Sequence, residues 1–338
     1  MGFRFGQEKN KTKPKALASC ADGNEKFPCL RTTLSPTDGE QYYQRETMNQ
    51  KSILLLFTAV VLFNCSSMNK NINKGNVSQE EFYSKIDFTT QKTIMIIPVE
   101  LNGVRKNFLF DTGADLTIIQ RDKVSGKTFN GSGAAGKESQ FGSEIIESLK
   151  IGDIDFINTY SGNKNMIYLN QQIPEFGGLI GESIISKANW LINYPSKTLE
   201  ISNNNISDGS FNILKINKHN GSTFTFLKIN GTEYKVKFDF GSSSSFTVPE
   251  KSKLAKELLQ NLDFENRTRE RYTISGGLQT ITEKVGKIPK VQIGQMDFTN
   301  VETKINVSGQ ARIGIDFFKN CQIYIDNTNG NIGIKQVK

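Results

Sequence analysis

Phe108-Leu-Phe-Asp111-Thr112-Gly113-Ala114-Asp-Leu-Thr-Ile-Ile119 is the segment that most strongly constrains this chain of 338 residues. An apolar run leads into one carboxylate, turns at a glycine and continues as a second apolar run. The pattern predicts a buried strand that presents Asp111 at a tight turn. A carboxylate between apolar flanks is costly to bury without a partner, so it indicates chemistry. An ordinary strand-to-turn junction is the alternative interpretation.

A second copy of the pattern lies downstream, in Val236-Lys-Phe-Asp239-Phe240-Gly241-Ser242. Other short segments match in the same order around the two copies. The matched pairs are Asn102-Gly103 with Asn230-Gly231, Leu149–Phe156 with Val291–Phe298, Leu179-Ile180-Gly181 with Arg312-Ile313-Gly314, and the closing hairpins Trp190–Ile201 and Cys321–Ile334. The repetition predicts an internal duplication into two lobes, 82–206 and 207–338.

Both lobes are predicted to be β-structured. Alternating apolar residues on either side of Asn-Gly pairs are typical of hairpins. One amphipathic segment, Pro249–Leu262, predicts a short helix in the second lobe with Pro249 in its first turn. Its apolar face is expected to pack on the core; the residues are Leu254, Leu258, Leu259 and Leu262.

Composition excludes several classes of chemistry. The single histidine, His219, lies in a polar segment typical of a loop, whereas Ser-His catalysis, Cys-His catalysis and multi-histidine metal sites each need a well-placed imidazole. The net charge of +8 is spread along the chain, which argues against a nucleic-acid partner. Carboxylates are therefore the natural candidates for hydrolytic chemistry, with no metal and no cofactor.

The N-terminal region resembles an export signal. Residues 1–47 are polar and predict a disordered or non-native leader, which makes Met48 an alternative start. Residues 48–64 carry a short basic head and an apolar run too short for a comfortable membrane span. The Cys65 that follows resembles the lipidated cysteine of bacterial lipoproteins, and 65–81 predict a tether. An uncleaved hydrophobic anchor is the alternative.

These motifs together resemble the bacterial aspartic proteases of the retropepsin-like and pepsin-like clan. The resemblance rests on Leu109–Ala114 and Leu179-Ile180-Gly181, both repeated in altered form, and covers residues 90–338. It implies two all-β, pepsin-like lobes related by a pseudo-twofold axis in a monomer. It also implies a water activated by the dyad of Asp111 and Asp239, with peptide or protein substrates.

The resemblance assigns further roles. The dyad is supported by the residues after each acid, Thr112, Gly113, Ala114, Phe240, Gly241 and Ser242. Strands at Leu179, Ile180, Gly181, Ile313 and Gly314 complete a ψ-shaped loop around each acid. Hairpin flaps are expected at Gly133 and Gly136 and at Gly276 and Gly277, with solvent loops as the alternative. Lipid on Cys65 places the chain in the cell envelope, bound to the membrane.

Three positions depart from the pattern or break its symmetry. Phe240 replaces a hydroxyl residue that would bond across the lobes. Arg312 is charged where an apolar residue is expected, and is predicted to point outward. Ser242, which replaces the alanine of the first motif, is predicted to bond Asp239, leaving Asp239 ionised and Asp111 protonated. The alternative function is a peptide-binding or structural envelope lipoprotein with weakened chemistry.

Overall fold

The computed structural model describes residues 71–133, 138–219, 222–274, 277–306 and 309–337. The predicted leader, signal segment and lipidated cysteine lie outside these ranges. Within them the chain is mostly β-structured, in several sheets, and no helix has the length and apolar character needed to cross a membrane.

Strands follow one another through the whole described region, with only short helices between them. The strands are β1 (Asn76–Val77), β2 (Tyr83–Asp87), β3 (Thr89–Gln91), β4 (Ile94–Leu101), β5 (Val104–Phe110), β6 (Ile118–Gln120), β7 (Phe129–Ser132), β8 (Glu138–Ile151), β9 (Ile154–Lys164), β10 (Phe176–Ile180), β11 (Asn189–Asn193), β12 (Thr198–Ser202), β13 (Asn212–Leu214), β14 (Asn217–His219), β15 (Ser222–Ile229), β16 (Thr232–Phe238), β17 (Phe246–Pro249), β18 (Phe264–Thr273), β19 (Gly277–Ile293), β20 (Met296–Asn306), β21 (Arg312–Ile313), β22 (Cys321–Asp326) and β23 (Asn331–Gln336). The helices are α1 (Glu182–Ile185) and α2 (Lys253–Asn261), and 3₁₀ turns lie at Ile167–Gln171 and Ile315–Phe318.

The same strand arrangement occurs once in each half of the chain. In the first-half sheet, β10 lies between β5, to which it is parallel, and β6, to which it is antiparallel. In the second-half sheet, β21 lies between the parallel β16 and the antiparallel β17. Each acidic motif therefore follows a strand, β5 or β16, that pairs in parallel with a strand from much later in the same half of the chain, β10 or β21.

A third sheet joins the two halves. Its strand order is β13-β23-β22-β11-β12-β2, so the predicted closing hairpins β11–β12 and β22–β23 are both present. They pair with each other through β11 and β22, with Trp190 opposite Ile325. The two halves therefore share backbone hydrogen bonds as well as side-chain contacts.

Two predicted hairpin turns have matching geometry. Asn102 and Gly103 connect β4 to β5 with φ of 47° and 81°, and Asn230 and Gly231 connect β15 to β16 with φ of 48° and 81°. Positive φ at both central residues is the type I′ signature that the Asn-Gly pair favours. These two hairpins are confirmed.

The alternation of side chains along each central strand separates two apolar clusters. Phe108, Phe110 and Ile180 point into the main core, where Trp190 stacks with Phe156 at a ring-centroid distance of 6.1 Å. Leu109, Leu116, Ile118 and Leu179 belong to a second cluster on the opposite face of the first-half sheet. Successive side chains on a strand face opposite ways, so both clusters follow from one sequence pattern.

The structure corrects two predicted boundaries. The helix begins at Lys253, capped by Ser252, whose hydroxyl accepts the Ala255 N–H at 3.1 Å. Pro249 instead ends β17, because the serine side chain supplies the acceptor that a first helical turn needs. The predicted tether also ends earlier, since β1 pairs with β9 inside 65–81.

Candidate active site

The two acidic motifs begin with the same backbone turn. Asp111 donates its N–H to the Ile180 carbonyl at 3.0 Å, and Asp239 donates its own to the Ile313 carbonyl at 2.9 Å. Each aspartate carbonyl then accepts the N–H three residues later, from Ala114 at 3.3 Å and from Ser242 at 3.0 Å. The repeated sequence therefore corresponds to a repeated local structure.

Glycine is required where β10 and β21 end. A Cβ atom on Gly181 would lie 2.3 Å from the Leu116 carbonyl oxygen, and one on Gly314 would lie 2.2 Å from that of Ser244. Backbone approaches this close leave no room for any side chain. The predicted ψ-loop residues thus lie against the turns that carry the acids, with Ile180 and Ile313 in the core.

The two carboxyl groups lie next to each other at the junction of the halves. Asp111 Oδ1 accepts the N–H of Gly113 at 2.8 Å and that of Gly241 at 3.2 Å. A Cβ on Gly241 would lie 2.3 Å from Asp111 Cγ, and one on Gly113 would lie 2.7 Å from Asp239 Oδ1. Each acid therefore contacts the glycine of the other motif, and we call Asp111 and Asp239 the dyad.

Asp111 has an environment that favours its protonated form. The residue is partly exposed, but protein surrounds its carboxyl group. This burial, together with the charge of Asp239, raises the pKa of Asp111 to about 7. The N–H groups of Gly113 and Gly241 and the charge of Lys237 oppose the shift without cancelling it.

Asp239 has a different partner. Arg312 Nη1 donates to Asp239 Oδ2 at 2.9 Å, and the two side chains are only 13% and 12% exposed. The prediction that Arg312 points outward is therefore wrong. Ile313 faces the core, and successive side chains on a strand face opposite ways. Arg312, the residue before it on β21, therefore points to the other face of the sheet, where it contacts Asp239.

The reason proposed for the asymmetry of the dyad also changes. The Ser242 hydroxyl was expected to bond the Asp239 carboxylate, but it instead accepts the Ser244 N–H at 3.4 Å, and among the described residues the only Ser242–Asp239 hydrogen bond is the backbone bond of the turn. The guanidinium of Arg312 supplies the stabilisation expected from Ser242. A cation at contact distance favours a carboxylate more strongly than a neutral hydroxyl does.

The link between the motifs is one-sided, as Phe240 predicts. Thr112 Oγ1 accepts the Phe240 N–H at 3.1 Å, so the first motif's hydroxyl holds the second motif's backbone. The ring of Phe240 is fully buried and makes edge contacts with Phe238 and Phe318 at 6.0 and 5.9 Å. The side chain that replaces the hydroxyl thus belongs to the second-half core.

Two of the four predicted flap residues lie next to paired strands of hairpins. Gly133 follows β7, which pairs with β8, and Gly277 begins β19, which pairs with β18; Gly136 and Gly276 fall outside the described residues. The β18–β19 hairpin reaches the first half. Tyr168 Oη donates to the Thr273 carbonyl at 2.8 Å, and its ring stacks on Tyr272 at 6.2 Å.

Two residues that contact the other half of the chain were not predicted from the sequence, Tyr168 and Lys237. Lys237 Nζ donates to the Gly113 carbonyl at 2.8 Å. The register of the repeat contains a signal from which Lys237 and Arg312 could have been predicted. They occupy the positions that Leu109 and Leu179 hold in the first half, so they face the side of the sheet away from the core. Tyr168 has no such counterpart to reveal it.

Within the described ranges, no group of three or more His, Cys, Asp and Glu side chains is arranged to bind a metal ion. No family model matches the chain, and no curated protein matches its sequence.

Proposed function

We propose that this chain is an aspartic endopeptidase built from two pepsin-like lobes. One observation carries the proposal: Asp111 Oδ1 accepts N–H groups from the glycines of both motifs and lies beside Asp239. Two adjacent carboxyl groups do not both ionise cheaply, so a single proton is shared at neutral pH. In the proposed assignment Asp111 holds that proton, and Asp239 is the carboxylate.

The proposed reaction uses both members of the dyad. Asp239 accepts a proton from a water molecule, whose oxygen attacks the carbonyl carbon of the scissile peptide bond. Asp111 donates its proton to the carbonyl oxygen, which gives a tetrahedral diol. Asp239 then passes its proton to the amide nitrogen while Asp111 takes a proton from one diol hydroxyl, and the C–N bond breaks to release an acid and an amine. Both members of the dyad thereby return to their starting protonation states.

The β18–β19 hairpin is proposed to control access to the dyad. Its end is held on the first half by Tyr168, so a peptide enters when this contact is released and the hairpin closes again over it. A monomer suffices, because both acids come from one chain. Export, lipid attachment at Cys65 and an envelope location complete the proposal and rest on the sequence alone.

The alternative function is a peptide-binding envelope protein with weakened chemistry. The ion pair between Arg312 and Asp239 is the observation that favours it. The guanidinium donates to Asp239 Oδ2 at 2.9 Å, so that oxygen is already engaged and is less available to accept a proton from water. The absence of a hydroxyl at Phe240 also favours the alternative function, because in the described motifs the Thr112 hydroxyl alone links the two acids' turns.

Cleavage of a diverse peptide mixture by the purified chain, between about pH 4 and 8, tests the proposal. Asp111→Asn and Asp239→Asn are each expected to reduce kcat/KM by at least about a thousandfold, since the dyad acts as a unit. Asp297→Asn is the matched control, because that carboxylate is 47% exposed and pairs with Lys290 at the surface.

The outcomes separate the two functions. Cleavage that disappears in both dyad variants and persists in the control supports the endopeptidase. A folded wild-type protein that cleaves nothing across the pH range, yet binds peptides, supports the alternative. Activity that survives in Asp239→Asn contradicts the shared-proton assignment.

A further inference from the structure

The inner face of the β18–β19 hairpin concentrates positive charge. Arg271 and Gln279 are direct cross-strand partners in β18 and β19, so their side chains share one face of the hairpin. Arg269 lies two residues before Arg271 and Glu283 lies four after Gln279, which places both on that same face.

Three of the four arginines on β18 and β21 have acidic partners, and one of these is Arg267, which pairs with Glu265. Arg269 makes a two-pronged contact with the fully buried Glu283, through Nε at 2.6 Å and Nη2 at 3.3 Å. Arg312 pairs with Asp239. Arg271 has no ion pair with the described part of the chain, although the charges of Arg269 and Arg312 both act on it.

Arg271 also carries an unsatisfied donor. Its Nε is buried and has no hydrogen-bond partner in the described structure, and the Nε2 of the neighbouring Gln279 is in the same state. Burial and the charge of Arg269 lower the pKa of Arg271, against the opposing charge of Glu283. Buried donors without acceptors are costly, so a site with two of them is suited to an incoming acceptor group.

The chemistry of the two donors selects the ligand. The guanidinium N–H of Arg271 and the amide N–H of Gln279 are both hydrogen-bond donors. They favour a ligand that offers acceptor oxygens rather than donors, as an anion with several oxygens does. Arginine matches the geometry of a carboxylate with two parallel hydrogen bonds. For an enzyme that acts on peptides, that carboxylate is a Glu or Asp side chain or a free C terminus.

The halves differ in the side chains they present around the dyad. On the face of each sheet away from the core, the first half has Leu109 and Leu179, where the second half has Lys237 and Arg312. Arg271 lies on the cationic side, within the electrostatic reach of Arg312. The positive charge near the dyad therefore comes from the second half of the chain.

We infer that Arg271, with Gln279, forms a subsite that binds a carboxylate group of the peptide under the β18–β19 hairpin. The inference rests on the proposed function for the identity of the ligand as a peptide. Arg271 is then a specificity-determining residue, and the substrates are peptides with an acidic group at one fixed distance from the cleaved bond.

Pools of octapeptides test the inference, each pool with Glu or Gln fixed at one position and with a free or amidated C terminus. Binding is measured on the full chain carrying Asp111→Asn, and cleavage on the active chain, each with and without Arg271→Met. Preference for an acidic group of about tenfold or more is expected, falling to near unity with Arg271→Met. Arg271→Lys should restore part of it, and Arg267→Met, on the same strand and paired with Glu265, should leave it intact.

Each result has a defined meaning. A preference for Glu at one position identifies a side-chain ligand, and a preference for the free over the amidated terminus identifies a terminal carboxylate. Absence of any acidic preference, or a preference that Arg271→Met and Arg271→Lys leave unchanged, overturns the inference even if cleavage is efficient. Acid-selective binding that depends on Arg271 without cleavage sustains the subsite while the proposed peptidase activity fails.

Discussion

Asp111 and Asp239 have similar sequence contexts but unlike surroundings. Asp111 receives two backbone N–H groups in a buried setting beside another acid, whereas Asp239 receives a guanidinium. Neutral amide donors stabilise a carboxylate less than a full positive charge does. The asymmetry therefore assigns the shared proton to Asp111, on grounds that the repeated motif alone does not contain.

The raised pKa of Asp111 predicts a pH dependence of stability. Between its ordinary value near 3.8 and about 7, the folded chain holds a proton that the unfolded chain has released, so the contribution of Asp111 to the free energy of unfolding falls as pH rises. Asp111→Asn should therefore gain stability relative to wild type from pH 5 to pH 8, by on the order of 2 kcal/mol. Urea unfolding at both pH values measures this, with Asp297→Asn as control. An equal difference at the two pH values would refute the assignment.

Arg312 predicts a loss of stability when its ion pair is broken. Replacing it with methionine leaves Asp239 Oδ2 without its guanidinium partner, in a site where the Asp239 side chain is only 12% exposed. We expect the free energy of unfolding to fall by about 3 kcal/mol, because an uncompensated buried charge is costly. Urea unfolding of Arg312→Met beside Arg267→Met measures the loss. An unchanged free energy of unfolding would show that the ion pair does not stabilise the folded chain.

At the level of residues, sequence reasoning located the acids because glycine and the repeat mark them. The prediction that Arg312 points outward was wrong because it assumed that a charged side chain is exposed to solvent. The alternation along β21 shows only that Arg312 faces away from the core. Whether that face meets solvent or the carboxylate of Asp239 depends on the turn that follows β16, and no local pattern encodes a contact across 73 residues.

Among the elements, the β18–β19 hairpin reaches from its own half to the other. Its contact with Tyr168 combines hydrogen bonding by the hydroxyl, mainly to the Thr273 carbonyl, with ring stacking, so the two parts can be separated by mutation. The sequence predicted a hairpin flap here from Gly276 and Gly277. It contained no signal for the contact between Tyr168 and Thr273, because contacts across 105 residues do not follow from periodicity.

Tyr168→Phe predicts a looser hairpin. The change removes the hydrogen bond to the Thr273 carbonyl and keeps the stacked ring, at a cost of about 1 kcal/mol. Amide hydrogen exchange in 264–293 should accelerate several-fold, as expected for local opening. Tyr83→Phe is the control, because that tyrosine is 55% exposed and bonds Glu200 in another sheet. Exchange that stays at the wild-type rate would show that the contact does not hold the hairpin.

At the level of the whole molecule, the feature hardest to predict from the sequence was the third sheet, the central sheet that joins the two halves. Each closing hairpin was predicted from its own alternation, and both are present. Their mutual pairing through β11 and β22 was not predicted, since the free edge of a hairpin does not specify which strand will pair with it. This pairing brings the ends of the two halves into one sheet, beside the junction that holds the dyad.

The central sheet predicts that the two halves unfold together. Ile323 is fully buried in β22 and lies opposite Ile192 of β11, so Ile323→Ala should cost about 2–5 kcal/mol in both halves at once. Trp190, the single tryptophan, reports from β11 in the first half, and far-ultraviolet circular dichroism reports on all strands. Their unfolding midpoints should coincide and move together in the variant. Ile213→Ala, at a residue 57% exposed in the same sheet, should shift them little. If Trp190 fluorescence kept its wild-type midpoint in Ile323→Ala while the circular dichroism shifted, the halves would be independent units, and the dyad would depend on a docking step rather than on one folded state.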